Sequence, residues 1–345
     1  MKKLLVLLPV LALLMAACSN EFEVTAPWKE IPIVFAILSP KDTAHYVRVE
    51  KAFLDPEKSA LEIAQIADSL YYPESAITVW LERPSTQTRV PLTRVDGALE
   101  GYPRENGIFA TQPNWLYKFK PQSAVSNLIP GELYRLVIVR ADDRPDVTAE
   151  TKIPGDFLFV RPIPAQSPPL ISFIPSDLTE VEWRCDANSV LFSIIFKIRY
   201  REENANGSLI ARDTLVWNAH ATFEIEALGA GSANFRGLAK IASTDFYRFL
   251  KTNIDSVAVP PFRYFEGMDI TVIGGGKEIK AYQTTASANL GLTGAEVLPN
   301  YTNLSEGFGI FSSKNSTNLN NVKITSGTVD SMSNHALTRH LNFRL

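Results

Sequence analysis

Cysteine is scarce in this chain, and its scarcity limits how the protein can be stabilised. Cys18 and Cys185 are the 2 cysteines in 345 residues. If Cys18 is used as a lipid attachment site, as argued below, Cys185 has no partner and an intrachain disulfide is excluded. Val181, Trp183 and Cys185 alternate along one face of a predicted strand. We therefore interpret Cys185 as a small buried apolar residue, with a reactive thiol as the alternative.

Concentrated positive charge is also missing. The chain carries 34 Lys and Arg against 37 Asp and Glu, which gives a net charge of -3. Nucleic acid phosphates require a concentrated Lys/Arg surface, so this composition argues against a nucleic acid partner. After the N-terminal leader, no apolar run reaches the roughly 18 residues of a membrane-spanning helix. Any membrane attachment is therefore expected at the N-terminus.

Recognisable catalytic and metal-binding patterns are absent as well. His45, His220, His335 and His340 are scattered, and the spacing of the last two places them on different faces of a helix or strand. No metal site is predicted from them. The sequence has no G-x-S-x-G nucleophile turn, and the nearest approach, at 229–233, has its serine one place late. We predict that the protein is not an enzyme and needs no cofactor, with a hydrolase as the least favoured alternative.

Two features could serve chemistry or binding, and each has a simpler explanation. Glu180 and Glu182 share a strand face and could resemble a catalytic carboxylate pair, although exposed pairs of this kind usually serve solvation. Trp80 lies on the predicted polar face of its strand, where it could stack on a saccharide or contact a partner. The alternative is that a nearby helix covers the Trp80 ring.

The N-terminus has the pattern of a secretory signal that ends in a lipid attachment site. Lys2 and Lys3 precede an apolar segment that is too short to span a bilayer. The stretch Leu-Met-Ala-Ala-Cys at 14–18 resembles the bacterial lipobox, in which the cysteine receives a diacylglycerol thioether and the new N-terminus is acylated, for example with palmitate. Because each buried methylene contributes about 0.8 kcal/mol, several acyl chains anchor a protein permanently. We predict a signal peptide over 1–17, lipidation of Cys18 and a tether over 18–27, with an ordinary cleaved signal as the alternative.

The first half of the mature chain has the pattern of an immunoglobulin-like sandwich over residues 28–155. Short segments rich in β-branched and aromatic residues predict strands at 31–38, 45–53, 75–82, 88–95, 115–120, 133–141 and 147–153. The stretch Leu-Ile-Pro-Gly-Glu-Leu-Tyr at 128–134 resembles the turn into strand F of fibronectin type III domains. There the tyrosine hydroxyl bonds back to the turn backbone. Asp55, Pro56 and apolar residues at helical spacing also predict one helix over 57–71.

A proline-rich crossing over 156–172 separates this half from a predicted second sandwich over 173–345. Its best strand, 190–201, alternates apolar and polar residues, and a short aromatic helix is predicted at 244–253. Strands at 269–273 and 278–284 are predicted to form a hairpin across the Gly-Gly-Gly-Lys turn at 274–277. A phosphate-binding loop is the alternative, but the earlier glycine, the Ser/Thr and a following helix are missing from the pattern. The predicted fold class is thus all-β, with two immunoglobulin/fibronectin-III-like sandwiches and one short helix in each.

Five Asp-Ser/Thr-apolar triplets resemble the O-glycosylation sequon of Bacteroidota. The hydroxyl residues of these triplets are Thr43, Ser69, Thr214, Ser256 and Ser331. Composition alone would give roughly one such triplet in a chain of this length. The alternative is that Asp-Ser and Asp-Thr simply recur at turns.

The most specific segment of the chain is the run Tyr-Thr-Asn-Leu-Ser-Glu-Gly-Phe-Gly-Ile-Phe at 301–311. With this run, the lipobox, Trp183 and the aromatic helix at 246–250, the chain resembles a family of Bacteroidota lipoproteins classed as domain of unknown function 4249. No catalytic residues are assigned to that family. The resemblance implies an outer-membrane location and the company of TonB-dependent transporters. Glu21 and Glu23 also resemble the acidic signal that directs such lipoproteins to the cell surface; an acidic linker is the alternative.

From these observations we expect a surface-exposed lipoprotein of the outer membrane, held by its N-terminal lipid. Its expected role is that of a binding or accessory subunit beside a TonB-dependent transporter, with an unidentified ligand. An adhesin or a structural protein of the envelope is the alternative.

Overall fold

The computed structural model describes residues 30–52, 58–121, 127–229, 234–257, 259, 261–288 and 301–344. The predicted signal peptide, Cys18, the tether and the predicted helix start at Asp55 and Pro56 lie outside these residues. Strands form 48% of the described structure and helices 15%, which confirms the all-β sandwich class.

The first sandwich packs two sheets built from the N-terminal strands. These are β1 Pro32–Leu38, β2 His45–Lys51, β3 Ile77–Arg83, β4 Thr88–Pro91, β5 Thr93–Asp96, β6 Trp115–Phe119, β7 Leu133–Arg140 and β8 Val147–Lys152. One sheet has the order β4-β3-β7-β8, and the facing sheet contains β1, β2, β6 and β5. Their alternating apolar residues meet in one core, which includes Val34, Val79 and Leu136. The predicted tyrosine corner is confirmed, because the Tyr134 hydroxyl accepts a hydrogen bond from Ile129 N at 3.0 Å.

The second sandwich is built from longer strands. These are β9 Leu158–Arg161, β10 Leu170–Ile171, β11 Leu178–Asp186, β12 Leu191–Glu203, β13 Leu209–Ala219, β14 Thr222–Ala227, β15 Asn234–Ala242, β16 Phe262–Gly275, β17 Phe308–Ile324 and β18 Phe343–Arg344. A sheet with the order β14-β15-β11-β9 faces the strands β13, β12 and β16. The alternation predicted along β12 is confirmed, since Phe192, Ile194, Phe196, Ile198 and Tyr200 are all buried.

The prediction of one short helix in each sandwich is wrong, because the described residues contain five short helices. They are α1 Ala60–Ala64, α2 Ala67–Leu70, α3 Ser243–Asn253, α4 Lys277–Ala288 and α5 Ser326–Asn334. The aromatic helix predicted at 244–253 is α3. Its Phe246, Tyr247 and Leu250 are completely buried, and the Phe246 ring stacks on Phe173 with 4.3 Å between centroids.

Strand β17 belongs to both sandwiches. Its first part, 308–313, pairs in parallel with β1, and its second part, 314–322, pairs antiparallel with β16. The two sandwiches therefore share one ten-stranded sheet in the order β13-β12-β16-β17-β1-β2-β6-β5, with β10 and β18 attached to it. Leu304 and Phe311, which the sequence groups with the second domain, pack in the core of the first sandwich.

The Gly-Phe-Gly part of the run at 301–311 makes this pairing possible. Gly307 and Gly309 have φ angles of +108° and +111°, and a Cβ at either would collide with the carbonyl oxygen of Pro32 or Val34 in β1. Asn303 then holds the strand, because its side chain accepts a hydrogen bond from Phe311 N and donates one to Phe311 O.

Two predicted elements of the first half are divided in the structure. The segment 88–95 is two strands, because the chain crosses between the facing sheets at Leu92, whose side chain is buried and whose N–H donates to Val79 O. The predicted helix is α1 followed by α2, with extended Ile66 between them. Its N-cap is Ser59, which forms a capping box with Glu62.

The hairpin predicted across 274–277 is wrong. Strand β16 continues to Gly275, and the residues expected to form the second strand form α4. The glycines are needed for close packing, since a Cβ on Gly274 would lie 2.5 Å from the ring of Phe157. Ile279 and Ala281 are two positions apart, which is the spacing of apolar residues in a strand. Lys, Glu, Ala and Gln in this segment nevertheless favour a helix.

Candidate functional site

A cleft of about 310 Å³ lies where the two sandwiches meet, and we call it the junction cleft. β8 provides Glu150, Thr151 and Lys152 to its wall, and the start of α4 provides Lys277 and Glu278. The turn between β11 and β12 adds an amide side chain, that of Asn188. Lys277 and Glu278 are the first two residues of α4, so the start of this helix borders the cleft.

Glu278 is the most deeply buried charged residue of the junction cleft, with 4% of its surface exposed. One of its oxygens, Oε2, accepts hydrogen bonds from the hydroxyls of Ser312 at 3.0 Å and Thr151 at 3.3 Å. The first turn of a helix also stabilises a carboxylate through its partial positive charge. Gly276 leaves room for this arrangement, since a Cβ there would lie 2.9 Å from Oε2.

The mouth of the junction cleft carries basic side chains. Lys152 and Lys277 are exposed, and within the described part of the chain neither forms an ion pair. Glu150, in contrast, is bound by Arg135 at 2.6 Å. The cleft thus combines a carboxylate at its floor with two lysines at its mouth. Our sequence reasoning missed this site because it placed Glu278 on a strand; the helix-forming composition after the glycine turn was the available signal.

A second cleft, of about 350 Å³, lies under the proline-rich crossing. Ile163, Leu170 and Leu178 form exposed apolar walls, and Arg161 lies at the edge. The crossing itself is partly ordered into β9 and β10, which pair with β11 and β17.

The two carboxylates that could resemble a catalytic pair are bound by arginines at the edge of this second cleft. Arg161 donates to Glu180 at 2.8 Å, and Arg236 donates to both oxygens of Glu182 at 2.8 and 3.2 Å. The Arg236 hydrogen bonds lower the pKa of Glu182 below its usual value. Glu182 therefore holds its negative charge at neutral pH and is not available as a proton donor.

Trp80 is half-buried and does not present an open ring. The guanidinium of Arg89 lies 4.5 Å from the ring centroid, and the indole N–H donates to Thr78 Oγ1 at 3.1 Å. This Trp–Arg contact occupies the face that a saccharide would need.

Cys185 is buried, as predicted, and burial raises the pKa of its thiol to about 11. His45 is buried too, and its ring stacks on Phe119 at 5.6 Å between centroids. Burial lowers the pKa of His45 below its usual value. Within the residues described above, no three His, Cys, Asp or Glu side chains come together in a way that could hold a metal ion.

The five predicted glycosylation residues differ in accessibility. Thr43, Thr214 and Ser256 are exposed. Ser69 and Ser331 are half-buried within helices, and the Ser331 hydroxyl donates to Gly327 O at 2.8 Å. The first three are therefore the better acceptors on steric grounds.

Among the described residues, every helix is too short or too polar to cross a membrane. No family model matches the chain, and no curated protein matches it either.

Proposed function

We propose that this protein is a lipoprotein of the outer membrane, exposed at the cell surface, that binds a ligand and assists a TonB-dependent transporter. The observation that carries the proposal is the lipobox-like stretch ending at Cys18, followed by a short route into β1. The segment 19–27 spans at most roughly 30 Å when extended. A protein held this closely acts beside its own membrane, as an accessory subunit must.

An exposed apolar patch on the first sandwich supports a partner near the anchor. Phe35 and Ile37 on β1 and Phe308 on β17 face outward, each with 40–45% of its surface exposed. Tyr282 of α4 borders the patch and contacts the Phe35 ring edge-on at 6.2 Å. Large apolar side chains grouped on an outer sheet face are typical of protein interfaces. Because β1 is the strand that follows the tether, this patch can reach the rim of a barrel in the same membrane.

The side chains that could resemble catalytic groups are occupied in structural contacts. Glu180 and Glu182 are bound by arginines, and Cys185 is buried with a raised pKa. The two clefts, in contrast, have the size and mixed lining of small-molecule binding sites. These observations favour a binding role over an enzymatic one.

The anchor is tested by Cys18→Ser, with Cys185→Ser as the matched control. We expect the first variant to leave the detergent phase for the soluble fraction, whereas the second stays with the membrane. A Cys18→Ser protein that still fractionates with the outer membrane would contradict the lipid anchor.

The partner is tested by a photo-crosslinking residue at Ile37, with Val216 on the distant edge strand β13 as control. Both side chains are exposed, with 45% and 54% of their surface accessible. Mass spectrometry on intact cells should recover peptides of a barrel transporter from position 37 only. Crosslinks confined to peptidoglycan or to neighbouring cells would support the adhesin or structural alternative instead.

A further inference from the structure

Gly276 alone links the end of β16 to the start of α4, at the floor of the junction cleft. Such a strand–glycine–helix arrangement commonly binds anions, because free N–H groups and the helix dipole attract negative charge. Here the first turn of α4 carries the carboxylate of Glu278, whose Oε2 would lie 2.9 Å from a Cβ on Gly276. An anionic group at the same place would be repelled. The floor of the cleft is therefore suited to a positive group.

Only one oxygen of Glu278 is bound by the residues that the structure describes. Oε2 accepts both hydroxyl hydrogen bonds, and no side chain or N–H of the described residues donates to Oε1. Buried carboxylates are normally paired with a cation, since burial of a lone charge is costly. Glu278 can thus accept an ammonium N–H at Oε1 while keeping its two hydroxyl partners.

The two lysines at the mouth of the cleft need a ligand group of the opposite charge, an anion. Lys152 and Lys277 line the same cleft from β8 and α4. Two ammonium groups without carboxylate partners in the described structure would repel a simple amine and attract an anion. A ligand that satisfies both ends of the cleft must carry both signs of charge.

We propose that the junction cleft binds a small zwitterion of the amino-acid class. Its ammonium group contacts Glu278 at the floor, and its carboxylate lies between Lys152 and Lys277 at the mouth. The volume of about 310 Å³ accommodates an amino acid with a small side chain. This inference rests on the binding role proposed above, but its test requires neither the anchor nor a transporter, so the two can fail separately.

The test is isothermal titration calorimetry on the full chain in mild detergent. L-alanine is the zwitterionic ligand, and ethylamine and propionate each carry one of its charges. We expect saturable binding of L-alanine that is tighter than that of either single-charge compound. Glu278→Gln keeps the shape and the hydroxyl partners but removes the charge, and it should weaken L-alanine binding by about tenfold or more.

Two further variants complete the design. Lys277 is exposed, so Lys277→Met leaves the fold intact and should weaken L-alanine binding several-fold even if Glu278→Gln fails to fold. Glu180→Gln, at the second cleft, is the matched control and should leave the affinity unchanged. Absence of saturable binding, equal binding of ethylamine or propionate, or an affinity unchanged in both Glu278→Gln and Lys277→Met would overturn the proposal.

Discussion

Arg140 is a buried cation that links the end of β7 to the segment just before β17. Its side chain is 3% exposed, and it donates to Glu306 Oε2 at 2.7 Å and to Pro145 O at 2.8 Å. Loss of Glu306 would leave this interior guanidinium with the Pro145 carbonyl and, at 3.9 Å, the exposed carboxylate of Asp142. The loss of stability is therefore much larger than for a surface ion pair.

We expect Glu306→Ala to lower the free energy of unfolding by about 3–5 kcal/mol. Glu224→Ala is the control, because it removes an exposed partner of Lys240 and should cost at most about 1 kcal/mol. Urea unfolding followed by tryptophan fluorescence measures both. Equal effects of the two substitutions would show that Arg140 does not depend on Glu306.

The tyrosine corner is a second place where a single side chain contributes to the stability of the fold. Tyr134→Phe removes the acceptor of the Ile129 N–H and leaves that donor without its partner, which should cost about 1–2 kcal/mol. Tyr102→Phe, at a site with 55% exposure, should have no measurable effect on urea unfolding. An unchanged free energy of unfolding in Tyr134→Phe would mean that water replaces the hydroxyl as the partner of the Ile129 N–H.

The buried thiol gives a pH-dependent prediction. Because burial raises the pKa of Cys185 from 9.0 to about 11, the folded protein keeps the thiol neutral where the unfolded chain ionises it. Its contribution to stability is thus complete below pH 9 and is lost as the pH rises from 9 to 11. In a Cys18→Ser chain, a disulfide reagent at pH 8 should label Cys185 only after denaturation. Rapid labelling of the folded chain would contradict this burial.

At the scale of secondary structure, the pairing of β17 with β1 depends on glycine. Gly309→Ala places a methyl group against Val34 O at a positive φ, so the first part of β17 cannot dock in its present register. We expect a loss of about 3 kcal/mol or more and faster amide exchange in β1. Gly107→Ala is the control, since a Cβ there meets no atom within 4 Å. Unchanged exchange in β1 would disprove the clash.

Local patterns of residues were sufficient to predict some elements of this fold. The alternation along β12 and the turn before Tyr134 are each encoded within a dozen residues, and both are found as predicted. The burial of Cys185 follows from the same kind of alternation. Such features depend on neighbours in the sequence, which a single chain shows directly.

Other elements depend on contacts between distant residues. The periodicity of 88–95 continues unbroken across Leu92, so it does not reveal that the chain changes sheets there. Ile279 and Ala281 fit a strand as well as a helix until the packing of Gly274 against Phe157 is known. The junction cleft joins β8 to residues more than a hundred positions later, and sequence spacing carries no trace of that proximity.

At the scale of the whole molecule, the shared strand makes the two sandwiches one mechanical unit. The proline-rich crossing is not the only connection between them, because β17 forms backbone hydrogen bonds both with β1 and with β16. A cut in the exposed part of the crossing, around 163–167, should therefore leave both parts associated through strand pairing.

We expect a protease site inserted at Gln166 to give, after cleavage, a nicked protein that elutes as one species in gel filtration. Urea unfolding of the intact chain should also give one transition, with the same midpoint for tryptophans of the first and second sandwich, such as Trp115 and Trp217. Two transitions with separate midpoints would show that the sandwiches unfold independently. The Gly309→Ala variant, in which the pairing of β17 with β1 is broken, is the reference for independent unfolding of the two sandwiches.

The position of β17 near the C-terminus also imposes an order on biogenesis. The ribosome synthesises β1 early, and it synthesises β17, the parallel partner of β1, nearly three hundred residues later. Until residue 313 has been synthesised, β1 has a free edge on the side where β17 belongs. The N-terminal half therefore cannot complete its own sandwich until β17 is available to pair with β1. A chain that stops before residue 301 lacks β17, so both sandwiches lose a strand, and we expect such a truncation to disrupt the whole fold rather than the second sandwich alone.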